Sequence, residues 1–152
     1  MKKISIVGVL IGGVVDIVST NIFSFPLLMF VMFTQINFLG MSQEELTNAL
    51  TQTIYGNWII FTIQFMIGCF CSFLGGYIAA LIAKHDELIN GGLSSYLCIA
   101  IGIYSLFKGV DNAPWYLIII GFILSPAMAT LGGYLRLLQV KSKQRKMQQT
   151  PA

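Results

Sequence analysis

One ionisable side chain sits where its neighbours in the chain leave it no water. Asp16 falls inside an apolar run from Ile4 to Phe33, interrupted by Asp16 itself and a polar patch at Ser19, Thr20 and Asn21. In helical form, that places Asp16 about 18 Å along the axis from Ile4. A carboxylate at the middle of a bilayer costs about 2.5–3.5 kcal/mol on insertion scales. It must therefore face the bundle interior, pair with a partner or stay protonated. Gly8, Gly12, Thr20 and Ser24 recur with it every four residues, which is one helix face, so Asp16 is expected to point inward. No Lys or Arg is available at membrane depth to pair with it. Counting in from the inner helix ends brings Ser72 and Ser125 to the same level. Gln64 lies about 10 Å further out, placed to meet Ser24. Thr20, Ser72 and Ser125 are thus the expected hydroxyl partners, and a carboxyl held this way suits uptake and release of a proton. The other reading is that Asp16 simply hydrogen-bonds within the fold.

No other group of residues promises chemistry. Cys69, Cys71 and Cys98 all fall in apolar runs, and their spacing matches no zinc or redox pattern. They read as small, polarizable packing residues. His85 is the only histidine, in the charged turn Lys84-His85-Asp86-Glu87, where a solvated ring is expected. No nucleophile stands beside a base and no carboxylates pair, so general acid–base catalysis lacks its players. Neither enzyme activity, metal nor cofactor is expected.

The elements that must position Asp16 are membrane helices. Of 152 residues, 56% are hydrophobic and only 10% charged, with mean hydropathy +0.78. A soluble domain carries about 25% charged residues, too many for this chain to imitate. An all-α fold with four transmembrane helices follows from runs at 4–33, 58–83, 88–107 and 114–138, since about 20 apolar residues cross a core about 30 Å thick. They form one transmembrane domain spanning 1–152, with a basic tail from 139 onward. The runs lack the period-two alternation of a barrel.

Orientation follows from the cations. With the amino terminus inside, Lys2, Lys3, Lys84, Arg136, Lys141, Lys143, Arg145 and Lys146 share the cytoplasmic side, and only Lys108 falls outside. Both termini are therefore expected in the cytoplasm. The basic tail sits where lipid headgroups select positive charge, so the bilayer is its expected partner and nucleic acid is not. The apolar character of the first run continues past Asn21, which argues for an uncleaved first helix rather than a signal peptide, the Val18-Ser19-Thr20 stretch being the alternative cleavage site.

Between the first two runs, Ser42-Gln43-Glu44-Glu45 has the form of a capping box. Leu46, Ala49, Leu50 and Thr53 follow at helical spacing. A short amphipathic helix on the outer face is expected, either covering the mouth of the bundle or serving as a tether.

Residues 57 apart match in the second and fourth runs: Trp58 with Trp115, Ile63 with Ile120, Phe65 with Phe122, and Leu74-Gly75-Gly76-Tyr77 with Leu131-Gly132-Gly133-Tyr134. This reads as a duplicated hairpin giving two parallel repeats, or as recurrence of glycine pairs in a glycine-rich chain. The offset also preserves small-residue faces, Gly68-Ser72-Gly76-Ala80 and Gly121-Ser125-Ala129-Gly133, with Ser94-Cys98-Gly102 in the third run. Such faces let helix backbones approach in lipid. Gly8, Gly12, Gly68, Gly76, Gly121 and Gly133 are accordingly the expected packing positions. Pro126 should kink the fourth helix beside its seam.

Gly75-Gly76-Tyr77-Ile78-Ala79 with Ile82-Ala83-Lys84, then a short turn and Gly91, resembles a segment shared by uncharacterised small bacterial four-helix membrane proteins. Those proteins often carry His-Gly after the turn, where this chain has Asn90-Gly91. The resemblance implies a bacterial inner-membrane location and supplies no activity. Two functional expectations compete. One is a non-enzymatic accessory or assembly subunit that packs against a membrane protein partner through small-residue faces. The alternative is a small transporter, acting as a homo-oligomer, with Asp16 as a protonatable coupling site for a substrate the sequence does not name.

Overall fold

The computed structural model describes residues 4–35, 40–107 and 115–149. Within them every regular element is helical: α1 Ile6–Gln35, α2 Gln43–Gly56, α3 Trp58–Ala83, α4 Glu87–Ser94, α5 Tyr96–Phe107 and α6 Trp115–Gln149. Lys2, Lys3, Lys108 and Pro114, which entered the reading of sidedness and of the fourth run, lie outside the described residues. Among the described residues three helices are long and apolar enough to cross a membrane: α1, α3 and α6. Their 30, 26 and 35 residues reach about 45, 39 and 52 Å. Pro26 and Pro126 sit inside α1 and α6 without ending them.

The third run departs from expectation. Rather than one helix over 88–107 it forms α4 and α5, separated at Ser95. The cause lies in hydroxyls that compete for backbone carbonyls. Ser94 Oγ donates to the Gly91 carbonyl at 2.7 Å and Ser95 Oγ to the Gly92 carbonyl at 2.8 Å. Back-bonding of this kind bends helices, and here it acts on a glycine pair that resists it least. The basic tail also differs from a plain tail, because α6 continues as helix through Lys141, Lys143, Arg145 and Lys146.

Helix α2 forms where the capping box places it. Ser42 Oγ accepts from the Glu45 amide at 3.3 Å, and the Ser42 amide donates to Glu45 Oε2 at 2.8 Å. At the next junction Asn57 caps α3, its Oδ1 accepting from the amides of Ile59 and Ile60. Tyr55 and Trp58 each lie tilted against Phe61 at this end, and Phe61 stacks on Phe65. The opposite end is turned by Lys84-His85-Asp86, with Lys84 and Asp86 in the left-handed region at φ 59° and 45°.

Side-chain pairs fix the directions of the helices. Gly8 faces Ala79 and Ser24 meets Gln64, so α1 and α3 are antiparallel. Ser72 meets Ser125 and Tyr77 meets Gln139, so α3 and α6 are parallel. Gly12 faces Ser94 and Asp16 meets Cys98, so α4 and α5 follow α1. Gly133 faces Glu87 while Gly92 faces Thr130, so α4 is antiparallel to α6.

Among the described residues the buried interior is made of small side chains, including Cys71, Ala79, Ala80, Ala83 and Ala129, with Val31 and Ile60 the only larger apolar ones. Large apolar side chains such as Phe33, Trp58, Phe107 and Ile123 point outward, Phe107 being 89% exposed. This inverts the arrangement of a water-soluble domain and suits a lipid solvent.

Close backbone approach is concentrated toward the Lys84-His85-Asp86 end. A Cβ on Gly12 would lie 2.6 Å from the Gly75 carbonyl oxygen, and one on Gly8 2.9 Å from that of Ala79. Gly76 abuts the backbone of Ala129, and Gly133 leaves 2.5 Å between a hypothetical Cβ and the Glu87 carbonyl oxygen. Gly68 and Gly121 do not pack as expected; each faces open space within 4 Å. Helices that cross at an angle touch over a few turns only. Four-residue spacing marks the face of a helix, and the crossing decides how much of that face is used.

Candidate functional site

Asp16 owes its position to two glycines. Because Gly12 and Gly75 bear no side chains, α1 and α3 come so close that a Cβ on Gly75 would lie 2.8 Å from the Asp16 Cβ. One turn beyond, Ser72 on α3 faces the carboxylate. Its Oγ donates to Asp16 Oδ2 at 3.1 Å. On the other side α5 brings up Cys98, whose Sγ donates to the same oxygen at 3.1 Å. Thr20, one turn along α1, is also in hydrogen-bonding reach of the carboxylate. Asp16 is 2% exposed and Ser72 6%.

Ser125 on α6 completes the cluster, its Oγ 3.1 Å from Ser72 Oγ. Each hydroxyl has a single hydrogen to give. While Ser72 gives its hydrogen to Asp16, Ser125 must therefore be the donor to Ser72. If Oδ2 of Asp16 carries a proton aimed at Ser72, the chain reverses and Ser72 donates to Ser125. Four helices thus meet at one carboxyl through two hydroxyls and a thiol, an arrangement compatible with either charge state.

Among the described residues no cation approaches the carboxylate. Their Lys and Arg side chains are Lys84, Arg136, Lys141, Lys143, Arg145 and Lys146, all about three turns or more along the helices from Ser72 and Ser125. Nor do the described residues gather three or more His, Cys, Asp or Glu side chains that could hold a metal ion.

A groove of about 270 Å³ opens beside this cluster, between α5 and α6. Cys98, Gly102, Gly121 and Ser125 line it together with Ile118 and Phe122. Among its described side chains helix α5 has no fully buried residue, and it packs mainly against α1 and the end of α4. It meets α6 through the Phe122 ring, which lies against Gly102. The open position of Gly121 is thus one wall of this groove.

Ser72, Ser125, Thr20 and Asp16 come together in space, and further along α1 Gln64 Nε2 donates to Ser24 Oγ at 2.9 Å. Gln64 Oε1 is buried without a hydrogen-bond partner. Two polar contributors were missed by sequence reasoning. Cys98 was assigned to packing, although its place on the Ser94-Cys98-Gly102 face was the signal that it turned inward. Asn90 was noted only for departing from His-Gly. It is fully buried, accepts from the Ser5 amide at 2.7 Å, and donates to the carbonyls of His85 and Asp86. It ties the start of α1 to the α3–α4 turn. Searches against protein families, curated proteins and solved structures give no match to this chain.

Proposed function

We propose that the protein is a non-enzymatic accessory subunit that assembles with another membrane protein, and that it crosses the bacterial inner membrane four times with both ends in the cytoplasm. The broken pair α4–α5 supplies the remaining span in this reading. Its 21 residues run alongside α1 and against α6, and a break at membrane depth is tolerated where protein surrounds it; Ser94 and Ser95 are both buried. The described cations, all at one end of the helices, support the sidedness, and Trp58 and Trp115 at the start of α3 and α6 suit a membrane–water interface there. The duplicated hairpin is supported by the parallel run of α3 and α6, whose paired residues fall on either side of the 57-residue offset, 53 for Ser72–Ser125 and 62 for Tyr77–Gln139.

The observation that carries the assembly reading is how little α5 and α6 touch beyond the Phe122 ring against Gly102. Most of the small-residue surface is consumed inside the fold, but Gly102 and Gly121 flank a groove that no other helix of the described chain fills. Small faces of this kind are where membrane helices join. The test is purification in mild detergent with identification of what co-elutes. Gly121→Leu should remove a partner that wild type retains, with the chain itself still folded. Identical co-eluting proteins in the two preparations would overturn the reading.

The hydroxyl chain from Ser125 through Ser72 to Asp16 favours a second reading, in which oligomers of this chain couple substrate movement to protonation of Asp16. Asp16→Asn would then abolish proton-linked flux in vesicles. Unchanged flux would sink the transport reading.

A further inference from the structure

The groove beside Asp16 has chemical features beyond its shape. Its polar side chains, Cys98 and Ser125, are both part of the Asp16 cluster: Cys98 bonds the carboxylate directly, and Ser125 bonds it through Ser72. Everything else along it is glycine or apolar. The carboxylate behind that floor has no counter-charge in the described chain. A second copy of the protein would not supply one at that depth, because every described cation lies about three turns or more along the helices from Ser72 and Ser125. A buried carboxylate is costly at membrane depth, and so is a lysine or arginine on a lone helix. Bringing the two together relieves both costs at once.

We propose that the groove between α5 and α6 receives a transmembrane helix of another protein that carries one lysine or arginine at mid-membrane, and that this cation is set against Asp16 at Cys98 and Ser125. The inference rests on the assembly reading and specifies the partner's chemistry. Gly121, which faces open space, lets the partner backbone approach. The Cys98 thiol, a weak donor, is the group that yields Oδ2 to the incoming cation. Ser125 accepts from the same cation while it remains bonded to Ser72.

The full chain, reconstituted in phosphatidylcholine vesicles, tests this with two synthetic helices of leucine and alanine that differ only at the central residue, lysine in one and leucine in the other. Association is read by energy transfer between labels. The lysine helix should bind wild type at least about tenfold more tightly than the leucine helix. Asp16→Asn should erase that preference, Asp16→Glu should restore it, and Gly121→Leu should weaken both helices. If the two helices bind equally and Gly121→Leu still weakens them, the charge pairing is wrong and the assembly reading stands. If neither binds, or Gly121→Leu changes nothing, both fail together.

Discussion

Gly76 of α3 lies flat against the carbonyl group of Ala129 in α6, with no room for a side chain between them. The two helices are held by backbone-to-backbone dispersion at this point, and a single methyl group must force them apart. Overpacking of a tight interior costs about 1–3 kcal/mol. Gly76→Ala should therefore lower the unfolding free energy, read from denaturation in mixed detergent, by an amount in that range. Gly68→Ala and Gly121→Ala face open space. They should be neutral or stabilise by up to about 1 kcal/mol, the helix-propensity gain of Ala over Gly. Equal effects at positions 76 and 121 would contradict this placement of the helix crossing.

Ser72 and Cys98 share one carboxylate oxygen of Asp16. Interhelical hydrogen bonds in membranes are worth about 0.6 kcal/mol on average and up to about 1.7. Ser72→Ala should reach the upper part of that range, because it also strips Ser125 of its partner. Cys98→Ala should cost less, and Cys98→Ser should recover the loss. A double-mutant cycle in the same detergent titration measures the coupling, which should be clearly different from zero.

Asn90→Leu replaces a side chain that satisfies three backbone groups. Leaving buried partners unsatisfied costs about 1–3 kcal/mol. The damage should be local as well as global. Hydrogen exchange should accelerate at Ser5 and through the Lys84-His85-Asp86 turn, while α2 is unaffected.

The Ser42 amide, donating to Glu45, holds that carboxyl below its ordinary 4.5, and the Ser42 side chain adds to the effect. A lowered native value means that the contribution to α2 is fully present above 4.5 and is lost as pH falls through the native value. Exchange at residues 42–46, corrected for intrinsic rates, should therefore rise in acid below 4.5. Glu45→Gln should flatten that dependence. An unchanged profile in Glu45→Gln would mean that the capping box is not what orders the start of α2.

Reporter fusions test sidedness independently of packing. A fusion after Gly56 should report the outside, and one after Ala152 the cytoplasm. An outside carboxy terminus would leave three crossings and remove α4–α5 from the membrane.

Several features could be read from the chain because they depend on local spacing. The capping box needs only Ser42 and Glu45 three residues apart, and it forms. Asp16 shares a four-residue stripe with Gly12 and Ser24, and all three are buried. The match of depth between Gln64 and Ser24 followed from counting turns. What could not be read depends on how helices cross. Gly68 and Gly76 look equivalent along α3, yet only Gly76 lies where α6 touches. The break at Ser95 escaped hydropathy, because serine hydroxyls that turn back on Gly91 and Gly92 do not interrupt an apolar run. Cys98 was legible as an inward residue and not as a donor, since nothing local says which side chain will stand opposite.

The length of α6 has a consequence for its last turns. At 35 residues it is about 52 Å long, far more than a hydrocarbon core about 30 Å thick. Some 20 Å beyond Arg136 must stand in water. That stretch sets Lys141 and Arg145 four residues apart, a like-charge pairing that opposes helix, and it is too short to nucleate alone. Its order is inherited from the oil-embedded turns above it, which supply the costly first hydrogen bonds. Cut free as a peptide, the same residues would be a random coil, and the row of cations would exist as a helical face only while the rest of α6 is in place.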